Sequence, residues 1–438
     1  MRVVMYVQND VTRDSRVLRE AASLVADGHE VTIIGTTIPE SDAARAVPDP
    51  PPGVRIVRVA QPVGRPWWVT AVRAPWRLRH SAAIVLLPWM ALRGAWVLVV
   101  NRLLGRPILA GGIDYLGRWR VQWLGWCRAA AAAAPAADVH HAHDMEALPA
   151  AVTAARRDRA RYVYDSHEVH QAWGPILGQP WYVRRAIAAW ERRMARGAVA
   201  VVTIGEGVAD ELRRRLAPRR VLVVRNCPPA WTPAPGDRGR LRAAAGIDGD
   251  RPIVLCHGGF MANRGLEETA LAMLEPGLER AHLVFLGYRA RFIEPILTDA
   301  RLAGRVHFVP AVAPADVVAW VSGADVDVMT IRPADLNSRL SVPNKLFESL
   351  AAGVPVVSSD LPERRSIIAD SVGGPLGALC DPMSPASIAV AIRSILDASP
   401  GVQAALRKRV LRAARERWNW ETESAVLLDL YRELGGRA

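Results

Sequence analysis

The feature that most constrains this chain is the alternation of short apolar runs with segments of helical periodicity. Its first thirty-five residues predict a strand at 3–7, a loop at 8–12, a helix at 14–27 that stops at Gly28, and a strand at 30–35. The helical segment has apolar residues on one face, and continuous apolar strands are typical of parallel sheets covered on both sides. The chain therefore begins with a predicted βαβ unit.

The same alternation resumes further along and predicts two domains. More strands are predicted at 137–141, 162–165, 198–204 and 221–224, and then at 253–257, 282–286, 306–309, 326–330 and 355–358. A proline-rich connector, CPPAWTPAPGD, separates the two series. We expect an α/β fold of two Rossmann-like, doubly wound domains that face a central cleft. The predicted bounds are 1–225 and 226–415, with a final helix at 416–438 that returns to the N-terminal domain.

The net charge and the cysteine content limit which partners the protein can bind and in which cellular compartment it is expected. A formal net charge of +13 is compatible with nucleic acid, an anionic membrane surface or a phosphate-bearing substrate. No nucleic-acid-binding module is recognisable, so we expect no nucleic-acid partner. The apolar run at the N-terminus is too short for a signal peptide, which favours a cytoplasmic protein. The cysteines form no CxxC pair and indicate reduced thiols rather than a zinc site or disulfides; they are Cys127, Cys227, Cys256 and Cys380.

An insertion predicted at 63–130 interrupts the first domain and has an unusual composition. Its segment 67–126 holds eight of the fifteen tryptophans and eight arginines but a single acidic residue, Asp114. A stretch of twenty residues at 81–100 is long enough to cross a membrane, but a proline, an arginine and a glycine interrupt it. Tryptophan and arginine together favour the headgroup region. We expect a helical hairpin at the inner face of an anionic membrane, with a true membrane span and a tryptophan-rich core insertion as the alternatives.

One of only two lysines among the 56 basic residues lies in the stretch SVPNKLFESLAAGVPVVSSD. Pro343 and Asn344 open a predicted helix, and Lys345 and Glu348 project from one face of it. The free N–H groups of a helix N-terminus attract phosphate, and a lysine adds a compact positive charge there. The stretch predicts a phosphate site at Lys345, with Glu348 as an acceptor for sugar hydroxyls.

A second stretch, HGGFMANRGLEE at 257–268, follows a predicted strand and precedes a predicted helix. Gly258 and Gly259 let the backbone approach a ligand closely, and Arg264 can bind a phosphate through two hydrogen bonds. The stretch matches neither the P-loop nor the full GxGxxG fingerprint. On its own it is a weak indication of an anion-binding βα turn.

Eight stretches, in order along the chain, resemble the retaining GT-B glycosyltransferases of glycosyltransferase family 4. They are DSRVLREAASLVADGHEV, DVHHAHD, YDSHE, WERRMARGAVAVVTIGEGV, VVRNCP, GGFMANRGLEE, PNKLFESLAAGVPVV and RERWNWETESAVLLDLYREL. Their order and spacing make the resemblance specific for family and fold, and much less specific for substrate. The resemblance implies a GT-B fold and a nucleotide-sugar donor held mainly by the C-terminal domain.

The resemblance also implies roles for residues of the second domain. Glu348 would hold the ribose, and the loop 309–312 would contact the base. Many members have an arginine where this chain has Gly259, and an acidic residue where it has Leu340. The missing arginine places more of the phosphate contact on other cations. The implied donor-binding residues are Gly258, Gly259, Arg264, Val309, Ala311, Asn344, Lys345 and Glu348.

In the first domain, His143 matches the family's histidine near the donor sugar. It is an expected catalytic residue, together with Arg264 and Lys345. The DSHE stretch and the loop 8–16 are expected to face the cleft, where they would orient the acceptor. The candidate contacts there are Asn9, Asp10, Asp14, Arg16, His167 and Glu168.

The expected reaction moves a sugar, with retention, from a nucleotide-sugar to a hydroxyl of a lipid-linked or membrane-proximal glycan. We expect no cofactor and no metal. The triplet Asp325-Val326-Asp327 has the spacing of a metal-binding motif, but it opens an apolar strand rather than a loop. Two alternatives remain at this point: a nucleotide-sugar epimerase of the same architecture, and a catalytically silent, membrane-associated scaffold.

Overall fold

The structure is a computed structural model that describes residues 1–12, 14–37, 50–62 and 119–436. Most of the predicted insertion, up to residue 118, lies outside the described residues. The chain divides into two compact units. One comprises 1–203 with 211–222, and the other comprises 204–210 with 223–438.

The first unit contains a seven-stranded sheet in the order β3-β2-β1-β4-β5-β6-β7. The neighbouring pairs from β3 to β6 are parallel. Its strands are β1 (Arg2–Tyr6), β2 (Glu30–Thr36), β3 (Val54–Val59), β4 (Val139–His143), β5 (Arg161–Ser166), β6 (Val201–Thr203) and β7 (Val221–Val223). Its helices are α1 (Ser15–Ala26), α2 (Leu124–Ala133), α3 (Asp144–Asp158), α4 (Gly174–Leu177) and α5 (Trp181–Gly197), and α6 (Glu206–Leu216) spans the division between the units.

The second unit contains a six-stranded parallel sheet in the order β10-β9-β8-β11-β12-β13. Its strands are β8 (Ile253–Gly258), β9 (His282–Gly287), β10 (Val306–Pro310), β11 (Val326–Met329), β12 (Val356–Ser359) and β13 (Gly377–Cys380). Its longer helices are α7 (Asp237–Ala245), α8 (Leu266–Ala272), α12 (Asn344–Ala351), α13 (Pro362–Ile368), α14 (Pro385–Leu396), α15 (Pro400–Glu416) and α16 (Trp420–Gly435). The short helices are α9 (Glu294–Leu297), α10 (Val317–Val321) and α11 (Leu336–Leu340).

Both sheets reverse their strand order at one point, between β1 and β4 in the first unit and between β8 and β11 in the second. Two crossovers that leave in opposite directions open a crevice at the carboxyl ends of the strands. The residues that follow β1, β4, β8 and β11 are therefore placed to bind ligands. The two doubly wound sheets predicted from the sequence are confirmed.

Two strands escaped prediction. The sequence of β3, VRIVRV, carries arginines on an edge strand, and only its first residue is buried. The sequence of β13 has four residues and begins with Gly377, where an added Cβ would lie 1.9 Å from the Val356 carbonyl oxygen. Both are edge strands, whose sequences carry a weaker apolar signal than those of central strands.

The last helix begins at Asn419, whose side chain accepts a hydrogen bond from the Thr422 amide at 2.8 Å. The Glu423 carboxylate on α16 accepts from the Arg225 amide at 2.7 Å. The second of these bonds connects the helix to the segment that enters the second unit. Its predicted return to the N-terminal domain stays a prediction. No helix in the part of the chain that the structure describes is long and apolar enough to cross a membrane.

Glu191, on α5, is a buried carboxyl group whose charge opposes folding. Tyr164 Oη donates to its Oε1, and Gln171 Nε2 donates to its Oε2, each at 3.0 Å. Burial outweighs these hydrogen bonds and raises the pKa of Glu191 to about 7. A pKa that is higher in the folded than in the unfolded state stabilises the protein at low pH, and this contribution is lost as the pH rises through the folded value.

Glu191→Gln is therefore expected to be more stable than the wild type at pH 8, by about 1–3 kcal/mol, because the amide is neutral at every pH. At a pH near 4.5 the two proteins should be equally stable. Urea unfolding at both pH values measures the difference. Glu416→Gln, at an exposed position, is the control and should show no such pH dependence. Equal stability of Glu191→Gln and the wild type at pH 8 would contradict the assignment.

Candidate active site

The turn between β8 and α8 brings the backbone of the second unit to an open surface. Gly258 has a φ of +92°, and an added Cβ on Gly259 would meet nothing within 4 Å. Gly265, which precedes α8, has a φ of +62°, and an added Cβ would lie 2.1 Å from the Thr330 carbonyl oxygen. Only glycine fits there, because the turn packs directly against the end of β11. The backbone at Gly258 and Gly259 is thus free to approach a ligand.

Lys345 lies beside this turn, in the first turn of α12. A Cβ on Gly258 would come within 3.9 Å of the Lys345 Cδ atom. Burial lowers the pKa of Lys345, and Asp327 opposes the shift. Arg264 and Arg364 lower the pKa further because they are like charges. The positive charges near Lys345 therefore outnumber the carboxylate that opposes them.

Arg364 is the third cation of this group and is fully buried in α13. Its Nη2 donates to the Ser338 carbonyl oxygen and to Ser341 Oγ, at 3.2 and 2.6 Å. Burial, followed by the charge of Arg264, lowers the pKa of Arg364 to about 10. Among the described residues, Arg364 Nη1 and Arg264 Nε are buried without a hydrogen-bond partner. No described carboxylate is hydrogen-bonded to any of the three cations, an arrangement that favours an anionic ligand.

Glu348, also on α12, is tied to the sheet by His257. His257 Nε2 lies 3.1 Å from Glu348 Oε2, and its Nδ1 lies 3.1 Å from Asp327 Oδ1. Burial alone would lower the pKa of His257, but Asp327 and Glu348 outweigh it and raise the pKa to about 9. Asp327 also lies 2.9 Å from Ser349 Oγ, and Asp325 accepts from the Ile253 amide. Both carboxylates of the Asp325-Val326-Asp327 triplet thus bind protein groups.

The other predicted donor residues lie near the same edge of the sheet. Asn344, the first residue of α12, is exposed, and Ala311 is half-buried after β10. Val309 differs, because its side chain is buried in the core with Leu255 and Leu286. A contact from Val309 to a base would therefore come from its backbone.

His143 ends β4 in the first unit and is buried. Its ring stacks on that of His141 with centroids 4.6 Å apart, and its Nδ1 lies 3.2 Å from Asp165 Oδ2. Arg16 holds Asp165 in place through Nε to Oδ2 at 2.7 Å and Nη2 to Oδ1 at 2.9 Å. Arg16 is thus a buried partner of Asp165 rather than an exposed loop residue.

His167 bridges two carboxylates next to His143. Its Nδ1 lies 3.0 Å from Asp144 Oδ2, and its Nε2 lies 3.3 Å from Asp165 Oδ2. Burial opposes its charge, but the two carboxylates prevail and raise the pKa of His167 well above the usual value. Asp144 has a φ of 61°, which is strained for a non-glycine residue. The ion pairs with His167 help to hold this conformation.

Four buried groups in this region bring their ligand atoms within 4.8 Å of one another: Glu20, His141, His143 and Asp165. Their side chains include donors that bind divalent cations. However, the Arg16 guanidinium contacts both oxygens of Asp165 and lies 3.1 Å from Glu20 Oε1. Burial raises the pKa of Glu20 to about 7. The Arg16 guanidinium thus supplies a positive charge to both carboxylates of this cluster.

The loop after β1 is built largely from its own side chains. Asn9 Nδ2 donates to Asp14 Oδ2 at 2.8 Å, and Asp10 Oδ1 accepts from the Thr12 hydroxyl at 2.7 Å. Asp14 also accepts from the Val17 amide at the start of α1. Glu168 is half-buried and follows His167. The structure therefore groups His143 with Arg16 and His167, and leaves Asn9, Asp10 and Asp14 in a separate network of local bonds.

Comparison with known proteins identifies the family. Residues 251–398 match the model described as glycosyl transferases group 1, and residues 91–227 match the glycosyl transferase 4-like domain. The chain belongs to the GT4-type glycosyltransferases. Over 215 residues it is 28% identical to a D-inositol 3-phosphate glycosyltransferase of Xylanimonas cellulosilytica. That match covers 45% of this chain and 47% of the relative, so it spans about half the length of that enzyme.

Solved structures show that this GT4-type glycosyltransferase has the GT-B fold. Sucrose-phosphate synthase from Thermosynechococcus elongatus superimposes with a TM-score of 0.67 and 16% identity, covering 100% of both chains. The Anabaena protein HepE in complex with UDP-glucose superimposes with a TM-score of 0.64 and 14% identity, covering 99% of this chain and 100% of the other. At such identities the likeness establishes the fold.

Three residues of the candidate site were missed in the sequence: His257, Asp327 and Arg364. His257 precedes the two glycines in HGG, and Asp327 was interpreted only as half of a metal-type triplet. Arg364 lies in LPERR, just after β12 ends and a helix begins. The available signal for this residue was an arginine in the first turn of a helix that follows a buried strand. Because Gly259 stands where many family members have an arginine, another arginine was to be expected near the phosphate.

Proposed function

We propose that this protein is a retaining glycosyltransferase that moves a sugar from a nucleotide-sugar to a hydroxyl of a lipid-linked or membrane-proximal glycan. The observation that carries the proposal is a group of three cations at the carboxyl edge of the second sheet, the fully buried Arg364 and the half-buried Arg264 and Lys345. A nucleoside diphosphate supplies the negative charge that this group lacks. The fold shared with HepE, whose structure contains UDP-glucose, supports a donor of this class.

The proposed step breaks the bond between the anomeric carbon and the diphosphate. Negative charge develops on the leaving oxygen, and Arg264, Lys345 and the N–H groups at the start of α12 would stabilise it. The acceptor hydroxyl attacks from the face that the diphosphate leaves, and its proton passes to a phosphate oxygen. The configuration at the anomeric carbon is then retained.

His143 would act on the sugar rather than on the diphosphate. Asp165 lies next to its Nδ1, so that atom carries the proton and the Nε2 lone pair is left for a sugar hydroxyl. His143 Nε2 has no hydrogen-bond partner among the described residues. His167 and Glu168 are proposed to orient the acceptor, while Arg16 acts through Asp165.

A calorimetric screen of UDP, GDP, ADP and dTDP tests the proposal. We expect one of the four to bind, which would name the donor class. Slow hydrolysis of the matching nucleotide-sugar, followed by proton NMR, should release the sugar first in the anomeric configuration of the donor. Release of the opposite anomer would contradict retention. Conversion of the donor sugar without transfer would favour an epimerase, and no binding of any nucleotide would favour a silent scaffold.

We propose peripheral binding to the inner, anionic face of a membrane through helix α5. Five arginines of this helix are exposed, whereas its acidic residue, Glu191, is buried. Trp181, at its start, is 66% exposed, and Leu177 on α4 is 41% exposed. An aromatic ring beside arginines is typical of a surface that enters the headgroup region. The exposed arginines are Arg184, Arg185, Arg192, Arg193 and Arg196.

Charge reversal on α5 should release the protein from vesicles. Arg185→Glu with Arg192→Glu is expected to reduce partitioning onto vesicles containing phosphatidylserine by at least about tenfold, since each arginine near the surface contributes about 1 kcal/mol. Cosedimentation at low salt measures this. Arg412→Glu with Arg415→Glu makes the same charge change at exposed positions on α15 and is the control. An equal loss in both double variants would mean that net charge, and not this surface, causes the binding.

A further inference from the structure

Helix α12 and the two central strands of the second sheet are joined by a continuous chain of side chains. Ser349 Oγ lies 2.9 Å from Asp327 Oδ2, Asp327 Oδ1 lies 3.1 Å from His257 Nδ1, and His257 Nε2 lies 3.1 Å from Glu348 Oε2. Ser349 and Glu348 are neighbours on the helix, so the chain closes on itself. Asp327, His257 and Ser349 are buried, whereas the Glu348 side chain is 22% exposed. The chain therefore ends at the one carboxylate among these side chains that a ligand can reach.

The chemistry of the chain fixes what each Glu348 oxygen can do. The two carboxylates hold His257 as an imidazolium, whose pKa is raised to about 9, so both ring nitrogens donate. Oε2 of Glu348 accepts a hydrogen bond from His257. Oε1 has no hydrogen bond to any described residue, so it is available to a ligand. Without the histidine, the ligand itself would have to order the Glu348 side chain, which has three rotatable bonds. The conformational entropy lost in doing so would weaken binding.

We propose that His257, held by Asp327, is a positioning residue that fixes one oxygen of Glu348 and leaves the other for the ribose diol of the donor. This inference rests on the proposed function, because it requires a nucleotide at the site. It gives a role to the second aspartate of the Asp325-Val326-Asp327 triplet, which is to orient a histidine.

The test compares the affinity for a ribonucleoside diphosphate with that for its 2′,3′-dideoxy counterpart. The probes are UDP, ADP and GDP, each with its dideoxy form, measured by calorimetry. The ratio of the two dissociation constants reports the contribution of the ribose hydroxyls alone. A merely structural role for His257 would weaken both ligands equally and leave the ratio unchanged.

Two substitutions separate the two sides of the imidazole. His257→Asn keeps a donor near the Nδ1 position, towards Asp327, and loses the one towards Glu348. His257→Gln keeps a donor near the Nε2 position, towards Glu348. We expect His257→Asn to reduce the ribose preference by about tenfold and His257→Gln to reduce it much less. His282→Asn, at another buried histidine of the same sheet, should leave the ratio unchanged.

The outcomes distinguish this inference from the proposed function. One outcome is that the wild type binds a nucleotide and that Glu348→Gln lowers the ratio but His257→Asn does not. In that case the positioning role of His257 is wrong and the donor site stands. If Glu348→Gln leaves the ratio unchanged, Glu348 does not contact the ribose and the inference is also wrong. If the wild type binds none of UDP, ADP, GDP and dTDP, the proposed function and the inference fail together. If it binds dTDP alone, the inference is wrong, because dTDP has no ribose diol, and the proposed function stands. Dideoxy nucleotide binding that is retained in each variant shows that the site has folded.

Discussion

Lys345→Ala is expected to raise the dissociation constant for the preferred nucleoside diphosphate by at least about tenfold, equivalent to about 1.4 kcal/mol. Lys345 lies next to Gly258, at the start of α12, where its charge is only partly offset by Asp327. A buried ammonium group gains more from an anion than an exposed one does, because water screens it less. Isothermal titration calorimetry on both proteins measures the difference.

The chain provides an unusually clean control, since Lys408 is its only other lysine and is exposed on α15. Lys408→Ala removes the same side chain and the same charge, and should leave the affinity unchanged. Lys345→Arg should recover only part of the lost affinity, because a planar guanidinium is larger than the ammonium group that fits beside the turn. Unchanged nucleotide affinity in Lys345→Ala would place the diphosphate elsewhere.

Arg16→Met should lower the free energy of unfolding by about 3–5 kcal/mol, the range measured when one member of a buried ion pair is removed. Arg16, Asp165 and Glu20 are each at most 4% exposed in their side chains. Methionine fills a similar volume but leaves Glu20 without its cation and leaves Asp165 with its histidine partners. Urea unfolding of the whole chain, followed by circular dichroism, measures the loss.

The loss should also depend on pH. In the wild type, the pKa of Asp165 is well below its usual value: burial opposes this shift, and Arg16 and His167 outweigh burial. A carboxyl group with a lowered folded-state pKa stabilises the protein above its unfolded pKa. Without Arg16, only the histidines oppose burial, so the pKa of Asp165 rises and the variant gains less stability than the wild type as the pH rises. The difference between the two proteins should be larger at pH 8 than at pH 5.

Arg185→Met, at an exposed position on α5, is the control for Arg16→Met and should change stability by less than about 0.5 kcal/mol. A loss of less than 1 kcal/mol in Arg16→Met, at about pH 8, would mean that water reaches the two carboxylates.

The sequence was sufficient for the order of the central strands and for the start of α12, because these depend on local patterns. Apolar runs and their periodicity identified the central strands, and the PNKLFE stretch identified the start of α12. The GT-B fold and the glycosyltransferase family, both implied by the resemblance, are confirmed.

The partners of the site residues could not be predicted in the same way. Arg16 and Asp165 are 149 positions apart, and His257 and Asp327 are 70 positions apart. Each pair meets because of the order and register of parallel strands, which a local pattern does not encode. Nothing near Arg16 in the sequence predicts its burial, because its partner Asp165 lies on β5.

The cations near α12 have a consequence for engineering this protein. Arg264, Lys345 and Arg364 repel one another, and each of the two arginines has a buried nitrogen without a hydrogen-bond partner among the described residues. A procedure that selects variants for heat resistance alone would remove such residues early, since neutral side chains of similar volume relieve both costs. Heat-resistant variants that lack them would be expected to fold well and to fail as catalysts. These three positions are therefore the ones to keep fixed when the rest of the chain is redesigned.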